Sequence, residues 1–384
     1  MYDMADELRK GLEGVLVAES SLSDIDGSAG RLVYRGYAIE DLARNTSFEE
    51  VLYLLWEGHL PTEAELAPFE AQMAEERAVR DEVLSTVREL AAAEEDPMAA
   101  LRTAVSMLSA YDPDDSTGEA GDSEIAQRKG RRITAKMPTI VAAYKRIRDG
   151  DEPIEPRTDL SHAANFLYML NGEEPEDTLA DVFDMALVVH ADHGINASTF
   201  AAMVTASTLS DLHSSVTSAI GALKGDLHGG ANQNVMRTLL EIDEHDLTAV
   251  EWAREAIENG ERIPGFGHRV YDVKDPRAKI LGAKSKALGK AADEFKWYSY
   301  SRAIEEFMAK ETGIAPNVDF YSASMYYQMG IPIDLYTPIF AMSRVGGWVA
   351  HVLEYQDDNR LIRPRARYVG PDDREFVRIE QREG

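Results

Sequence analysis

RIPGFGHRVYDVKDPRAKILGAKSKALGK, Arg262 to Lys290, is the stretch on which the fold assignment turns. It combines glycines with cations, as nucleotide-binding loops do. The dinucleotide fingerprint G-x-G-x-x-G nevertheless fails, because Gly265 and Gly267 are in place but Val270 stands where the third glycine belongs. A dinucleotide-binding fold is therefore not supported. Eight basic residues (Arg262, Arg269, Lys274, Arg277, Lys279, Lys284, Lys286 and Lys290) are opposed only by Asp272 and Asp275, in a chain whose formal charge is −28. A cationic island on a surface that otherwise repels anions suggests a small polyanionic ligand. Gly265 and Gly267 flank Phe266, and without a Cβ their backbone N–H groups can come close to such a ligand. His268 follows at once, where it could act as acid or base. The same residues read equally well as a solvated basic helix behind a glycine turn.

Working outward, the 384 residues suffice for two domains, or for one large domain with an insertion. With 44% apolar residues the chain can bury a sizeable core. It has no cysteine, so disulfides, thiolate nucleophiles and cysteine metal sites are excluded. There is no run of eighteen apolar residues, and the first ten residues are polar, so neither a membrane span nor a secretory signal is expected and the chain reads as cytoplasmic. Asp and Glu number 68 against 40 Lys and Arg, which argues against nucleic acid and anionic membranes as partners. In molar salt the Debye length falls to about 3 Å and the self-repulsion of such a surface is screened. The composition thus points to a halophile, with a merely soluble acidic protein as the alternative.

Residues 11–34 are the main β-capable segment: Val15, Val17, Leu32 and Val33 flank the turn dipeptide Asp26-Gly27. Beyond it the chain reads as helical. Ser47 and Glu50 form a capping box, Val51, Leu52, Leu54 and Leu55 an apolar face, and Gly58 a stop. Helices are expected near 62–75, 79–94 and 97–110, a loop over 112–124, and another helix opening at Lys129-Gly130-Arg131-Arg132. Leu179, Val182, Phe183, Ala186, Leu187 and His190 lie at helical spacing, and small residues dominate 197–209.

Four places carry possible chemistry. His190 and His193 sit three apart beside Asp192, a spacing compatible with a metal, yet no third ligand is apparent and His190 continues an apolar face. His193, next to Gly194, lies where the helix should end. His228 stands before a helix beginning at Ala231, whose dipole disfavours imidazolium, so a neutral ring there could hydrogen-bond a carbonyl becoming an enolate; a plain loop histidine is the alternative. Asp319 precedes an apolar helix over Ser324–Met329 and could simply be its cap. Arg344 falls inside an apolar helix ending near Tyr355, and a charge there wants a fixed anion.

Taken together, the motifs HADHG-N-AST, KGDLHGGAN, PGFGH-VY–DPRAKI, PNVDFYSA and FAMSRVGGW…RPRARY resemble citrate synthase, in order and over essentially the whole chain. The resemblance implies a mainly α, multi-helical two-domain fold with a small N-terminal β segment. Residues 1–229 and 331–384 would form the large domain, ending in a C-terminal arm, and 230–330 a small CoA-binding domain that closes over the cleft. It implies an acyltransferase that condenses acetyl-CoA with oxaloacetate and water to citrate, the first step of the tricarboxylic acid cycle. 2-Methylcitrate synthase, which uses propionyl-CoA, and a catalytically silent CoA-binding homologue are the alternatives.

The roles carry over residue by residue. Asp319 would remove a methyl proton from the acetyl thioester, His228 would hydrogen-bond the thioester oxygen, and His268 would donate to the oxaloacetate carbonyl. His193, Arg277, Arg344 and Arg363 would hold oxaloacetate, with Arg363 reaching in from the second subunit of a homodimer. CoA would lie against Arg262, Pro264, Gly265, Phe266, Gly267, Arg269, Lys274 and Lys310. No metal or cofactor is implied, CoA thioester being a substrate. Two departures stand out: Gly194 occupies a place where many members have Glu, and Asp272 one where several have a phosphate-binding Arg.

Overall fold

Ser47 starts its helix as a capping box should: its side chain accepts from the Glu50 N–H at 3.2 Å, and Glu50 accepts from the Ser47 N–H at 2.7 Å. Gly58 ends that helix in the left-handed conformation, φ 87°. Such local rules set several of the element boundaries in the computed structural model, which describes residues 8–114, 123–245 and 247–382. Residues 1–7 of the polar N-terminal stretch and most of the expected 112–124 loop lie outside the described residues.

The chain opens with a three-stranded antiparallel sheet, β1 (Ser23–Asp26), β2 (Arg31–Tyr34) and β3 (Tyr37–Ala38), in the order β1-β2-β3. The Asp26-Gly27 turn falls where the sequence puts it. Val15 and Val17 do not join a strand; the sheet is buried instead through Leu32, Val33 and Tyr34, consecutive residues of β2 that cover both of its faces. Everything after it is helical: α1 (Ile39–Asn45), α2 (Phe48–Glu57), α3 (Glu63–Glu75), α4 (Asp81–Ala92), α5 (Pro97–Leu108), α6 (Ser123–Arg148), α7 (His162–Asn171), α8 (Asp177–His190), α9 (Ala197–Ala206), α10 (Leu212–Leu223), α11 (Ala231–Glu244), α12 (Ala249–Glu258), α13 (Pro276–Ala291), α14 (Lys296–Glu311), α15 (Val318–Gln328) and α16 (Tyr336–Asp357). The mainly α architecture with a small N-terminal sheet is as expected. Two starts differ: α6 opens at Ser123, a turn and a half before Lys129, and α15 at Val318, because Asn317 rather than Asp319 caps it, accepting the Asp319 N–H at 3.0 Å.

The core is organised around α16. Every residue from Tyr336 to Val352 is buried, the pattern of a helix enclosed on all sides. It packs against α2, α6, α8, α9 and α10. Two glycines let the backbones approach: a Cβ on Gly346 would lie 2.4 Å from Leu52 Cδ2, and one on Gly347 2.5 Å from the Ala191 carbonyl oxygen. Arg344, one turn earlier on this helix, is consequently buried beside the end of α8. Helices α11 to α15 pack chiefly on one another, with α13 against α15 and α12 against α14. They carry His268, Arg277 and Asp319 as one assembly.

Candidate active site

The PGFGH loop is laced to the segment that leads into α15. Gly267 N–H donates to the Ala315 carbonyl at 3.0 Å, Asn317 N–H to the Gly265 carbonyl at 2.9 Å, and Asn317 Nδ2 to the Gly267 carbonyl at 2.9 Å. This corrects the expectation that both glycines lend their N–H groups to a ligand, since that of Gly267 is used internally. The glycines are needed for the backbone: both have φ near +79°, and a Cβ on Gly265 would meet Phe320 at 2.9 Å. The lacing ties the loop that ends in His268 to the start of α15, which carries Asp319.

His268 takes its hydrogen-bonding form from the next turn of chain. Its Nδ1 accepts the N–H groups of Val270 (2.9 Å) and Tyr271 (3.2 Å), so the proton of the neutral ring sits on Nε2. Burial, and then the Arg277 charge, lower its pKa to about 4. His228 is the mirror case. Its Nε2 accepts the Ser198 N–H at 3.2 Å and lies 2.8 Å from Ser198 Oγ, which leaves the proton on Nδ1. Burial, then Arg344, lower this ring also to about 4, so burial rather than the α11 dipole is the main cause. Both rings are therefore neutral donors at pH 7. Asp319 is pushed the other way: burial raises its carboxyl to about 6, against the opposing pull of Arg277 and Arg344.

The cations are built in. Arg277 is 2% exposed and gives Nε and Nη2 to Asp275 at 3.0 and 2.7 Å. Burial alone would lower its pKa, but Asp275 outweighs that and raises it. Arg344 donates Nε to the His190 carbonyl at 2.7 Å, while its Nη groups have no hydrogen-bond partner among the described residues. Burial pulls it down to about 10 even with the Asp192 carboxylate nearby. A buried guanidinium with two free donors is a site for an anion.

His193 lies in the turn after α8. Its ring centroid is 5.1 Å from that of His268 and 5.6 Å from that of Tyr271, and Nε2 is 3.2 Å from the Tyr271 hydroxyl. Burial and both arginines hold it neutral. The turn is fixed by Asp192, which is fully buried and takes Ser23 Oγ at 2.5 Å and His351 Nε2 at 3.1 Å. Burial would raise the Asp192 carboxyl, but His351 and Ser23 bring it down to about 2. Gly194 has φ +59°, which explains glycine where a glutamate was noted as usual. His190 is a core side chain, with Nδ1 on the Ala186 carbonyl at 2.7 Å, and among the described residues no group of three or more His, Asp or Glu is placed to hold a metal.

The remaining expected residues lie apart from this cluster. Arg363 is exposed on the irregular chain after α16. Arg262 and Arg269 are exposed, and Lys310 is exposed beside Glu311 at 3.8 Å. Lys274 ion-pairs with Glu305 at 2.5 Å, so it is not a free phosphate ligand. Pro264 and Phe266 are half-buried at the loop, with Phe266 edge-on to Phe320 at 4.6 Å. Sequence reasoning missed Tyr271, Asp275 and His351. Asp275-Pro276 was legible as a helix start, since Asp275 caps α13 through the Arg277 N–H at 2.9 Å; nothing local marks His351.

This arrangement has known counterparts. The model of the family described as "Citrate synthase, C-terminal domain" matches residues 11–365. A citrate synthase of Haloferax volcanii is 65% identical over 99% of this chain and 100% of its own. The chain belongs to the citrate synthase family. A 2-methylcitrate synthase of Mycobacterium tuberculosis is 43% identical, over 97% of this chain and 93% of its own, so the citrate synthase relative is the nearer of the two. The ternary complex of carboxymethyl coenzyme A and oxaloacetate with the Thermoplasma acidophilum citrate synthase superposes with a TM-score of 0.91, at 36% identity, covering 98% of this chain and 100% of that one. Membership in the citrate synthase family makes the chain an enzyme of the acyltransferase type.

Proposed function

We propose that the site condenses acetyl-CoA with oxaloacetate and water to citrate and CoA. The observation that carries this reading is a base and two donors of fixed tautomer around two buried arginines. Asp319, held near pKa 6, removes a methyl proton from the thioester. The rise from 3.8 narrows the mismatch with a weak carbon acid by about 3 kcal/mol, at 1.36 per unit. His228 donates its Nδ1–H to the thioester oxygen, which stabilises the developing enolate at the other end. His268 donates Nε2–H to the oxaloacetate carbonyl as the C–C bond forms. Arg277, Arg344 and His193 hold the oxaloacetate carboxylates. Hydrolysis of the citryl thioester then drives release.

Arg363 completes this set from the second subunit of a homodimer. Support comes from the irregular chain that carries it, where Val369 and Phe376 are 88% and 81% exposed, as expected of surface that a second copy covers. Residues 230–330 act as a small domain that closes over the cleft. CoA lies against Pro264–Gly267, with Arg262, Arg269 and Lys310 as the cations left for its phosphates. The net charge of −28 supports work in a salt-rich cytoplasm; loss of activity on dialysis from molar to millimolar KCl is the expected check.

The function is tested by oxaloacetate-dependent release of CoA thiol in about 2 M KCl, a concentration at which surface charge is screened. The chain has no cysteine, so a thiol reagent sees only product. Faster release with acetyl-CoA than with propionyl-CoA is expected. Faster release with propionyl-CoA would move the assignment to methylcitrate formation, and no release with either would refute it.

A further inference from the structure

Tyr271 touches both His193 and His268. Its hydroxyl oxygen is 3.2 Å from His193 Nε2, its ring centroid is 4.8 Å from that of His268, and its own N–H reaches His268 Nδ1 at 3.2 Å. It is only 5% exposed. Two further contacts hold its loop. Asp272 N–H donates to the Gly27 carbonyl at 3.1 Å, and a Cβ on Gly27 would lie 1.9 Å from the Val270 carbonyl oxygen, so the β1–β2 turn and the loop meet backbone to backbone. The same hairpin grips the His193 turn, through Ser23 on Asp192 and through the Tyr34 hydroxyl, which donates to the Asp192 carbonyl at 2.7 Å. One hairpin thus sets the two loops against each other.

A neutral imidazole has one N–H, and which nitrogen carries it is decided by the partner of the other. His193 Nδ1 makes no hydrogen bond among the described residues. Two arrangements of the Nε2 contact are possible. If Nε2–H donated to the phenol oxygen, the phenol proton would have no acceptor among the described residues, and Nδ1 would be left as a bare lone pair beside the charges of Arg277 and Arg344. If the phenol donates to Nε2, the phenol proton is placed and Nδ1–H is left to donate to a ligand. Burial keeps the phenol protonated, raising its pKa.

We propose that Tyr271 is a positioning residue, whose O–H···Nε2 bond fixes His193 as the Nδ1–H tautomer and so presents a donor to the oxaloacetate carboxylate. This rests on the reading of His193 as an oxaloacetate ligand and adds what sets its proton. The test is Tyr271→Phe, which keeps the ring against His268 and removes only the hydroxyl. Two quantities are measured beside the wild type: KM and kcat from thiol release at saturating acetyl-CoA, and the Kd of oxaloacetate alone by calorimetry. KM and Kd for oxaloacetate should both rise about tenfold, the loss of one hydrogen bond and its tautomer bias, while kcat stays within about threefold. A purely structural tyrosine would not split KM from kcat in this way. Unchanged KM and Kd, or a fall in kcat at constant KM, would overturn the proposal. If the wild type binds oxaloacetate but releases no thiol, the reaction is wrong while the Kd comparison still decides the role of Tyr271. If the wild type does not bind oxaloacetate, both fail.

Discussion

The buried arginine cluster and the chain that follows α16 place the same residue type in opposite settings. Arg344 sits on a helix buried on every side, and Arg277 is 2% exposed with a bidentate aspartate, so both guanidinium groups are fixed before any ligand arrives. Arg363, only six residues beyond the end of α16, lies on exposed, irregular chain. That chain is tied down early, where Ile362 N–H reaches Ser207 Oγ at 3.1 Å and Asn359 Nδ2 the Ser207 carbonyl at 3.3 Å. From Arg363 to Val369 it is exposed throughout. On the proposed reading, the difference teaches which half of a charge-binding site one chain can pre-organise. Buried arginines incur desolvation, which Asp275 offsets for Arg277 and which lowers the pKa of Arg344, whereas an exposed one incurs little.

The sharpest break between the two regions is expected at Asp319. Asp319→Asn should cut turnover roughly a thousandfold, the scale of a lost general base. It should also stabilise the protein. The carboxyl pKa is raised from 3.8 to about 6, so the folded state disfavours the charged form, and stability is lost as pH rises through that window. The amide bears no such cost, and the gain at pH 7 should be on the order of 1–3 kcal/mol. Thermal melts at pH 4 and pH 7.5 check this: the variant's advantage should appear only at the higher pH. A destabilised variant would mean that Asp319 serves the fold rather than the chemistry.

Arg363→Ala should behave differently. It should lower kcat/KM for oxaloacetate roughly a hundredfold, as for the loss of a charge-assisted hydrogen-bond pair, with no change in the melting temperature. An equal loss of stability would make Arg363 part of the scaffold. A smaller effect comes from pH alone. With His228 and His268 both lowered to about 4, they stay neutral above pH 5, and of the three proposed catalytic groups Asp319 is the one held near 6. The rate kcat/KM should therefore fall about tenfold per unit below pH 6 and stay flat to pH 8. A second fall between pH 6 and 8 would mean that a histidine titrates there.

Much of this was legible in the sequence, for reasons that differ by residue. Helix caps and glycine stops act within four residues, so Ser47, Glu50 and Gly58 announced their helix. The motif histidines, Asp319 and Arg344 were legible because five spaced patterns occur together. The pairing of Val15 and Val17 was misread because β-propensity does not say whether a neighbouring strand exists. Gly267 was misread because a glycine that lets a ligand approach looks the same as one that lets Ala315 approach. Lys274 looked free because Glu305 is 31 residues away. His351 could not be found, since its partner Asp192 lies 159 residues earlier and only the packing of α16 on the end of α8 joins them.

The central claim is that one chain holds Asp319 and its partner supplies Arg363. Mixing two inactive variants tests it directly: Asp319→Asn and Arg363→Ala, co-expressed with different tags and purified as the mixed dimer. If the arm crosses, one site of each mixed dimer receives both the intact Asp319 and the intact Arg363, and about half of the wild-type thiol release per dimer should return. If Arg363 serves its own chain, both sites stay defective and the mixed dimer should be as inactive as its parents, which would contradict the account.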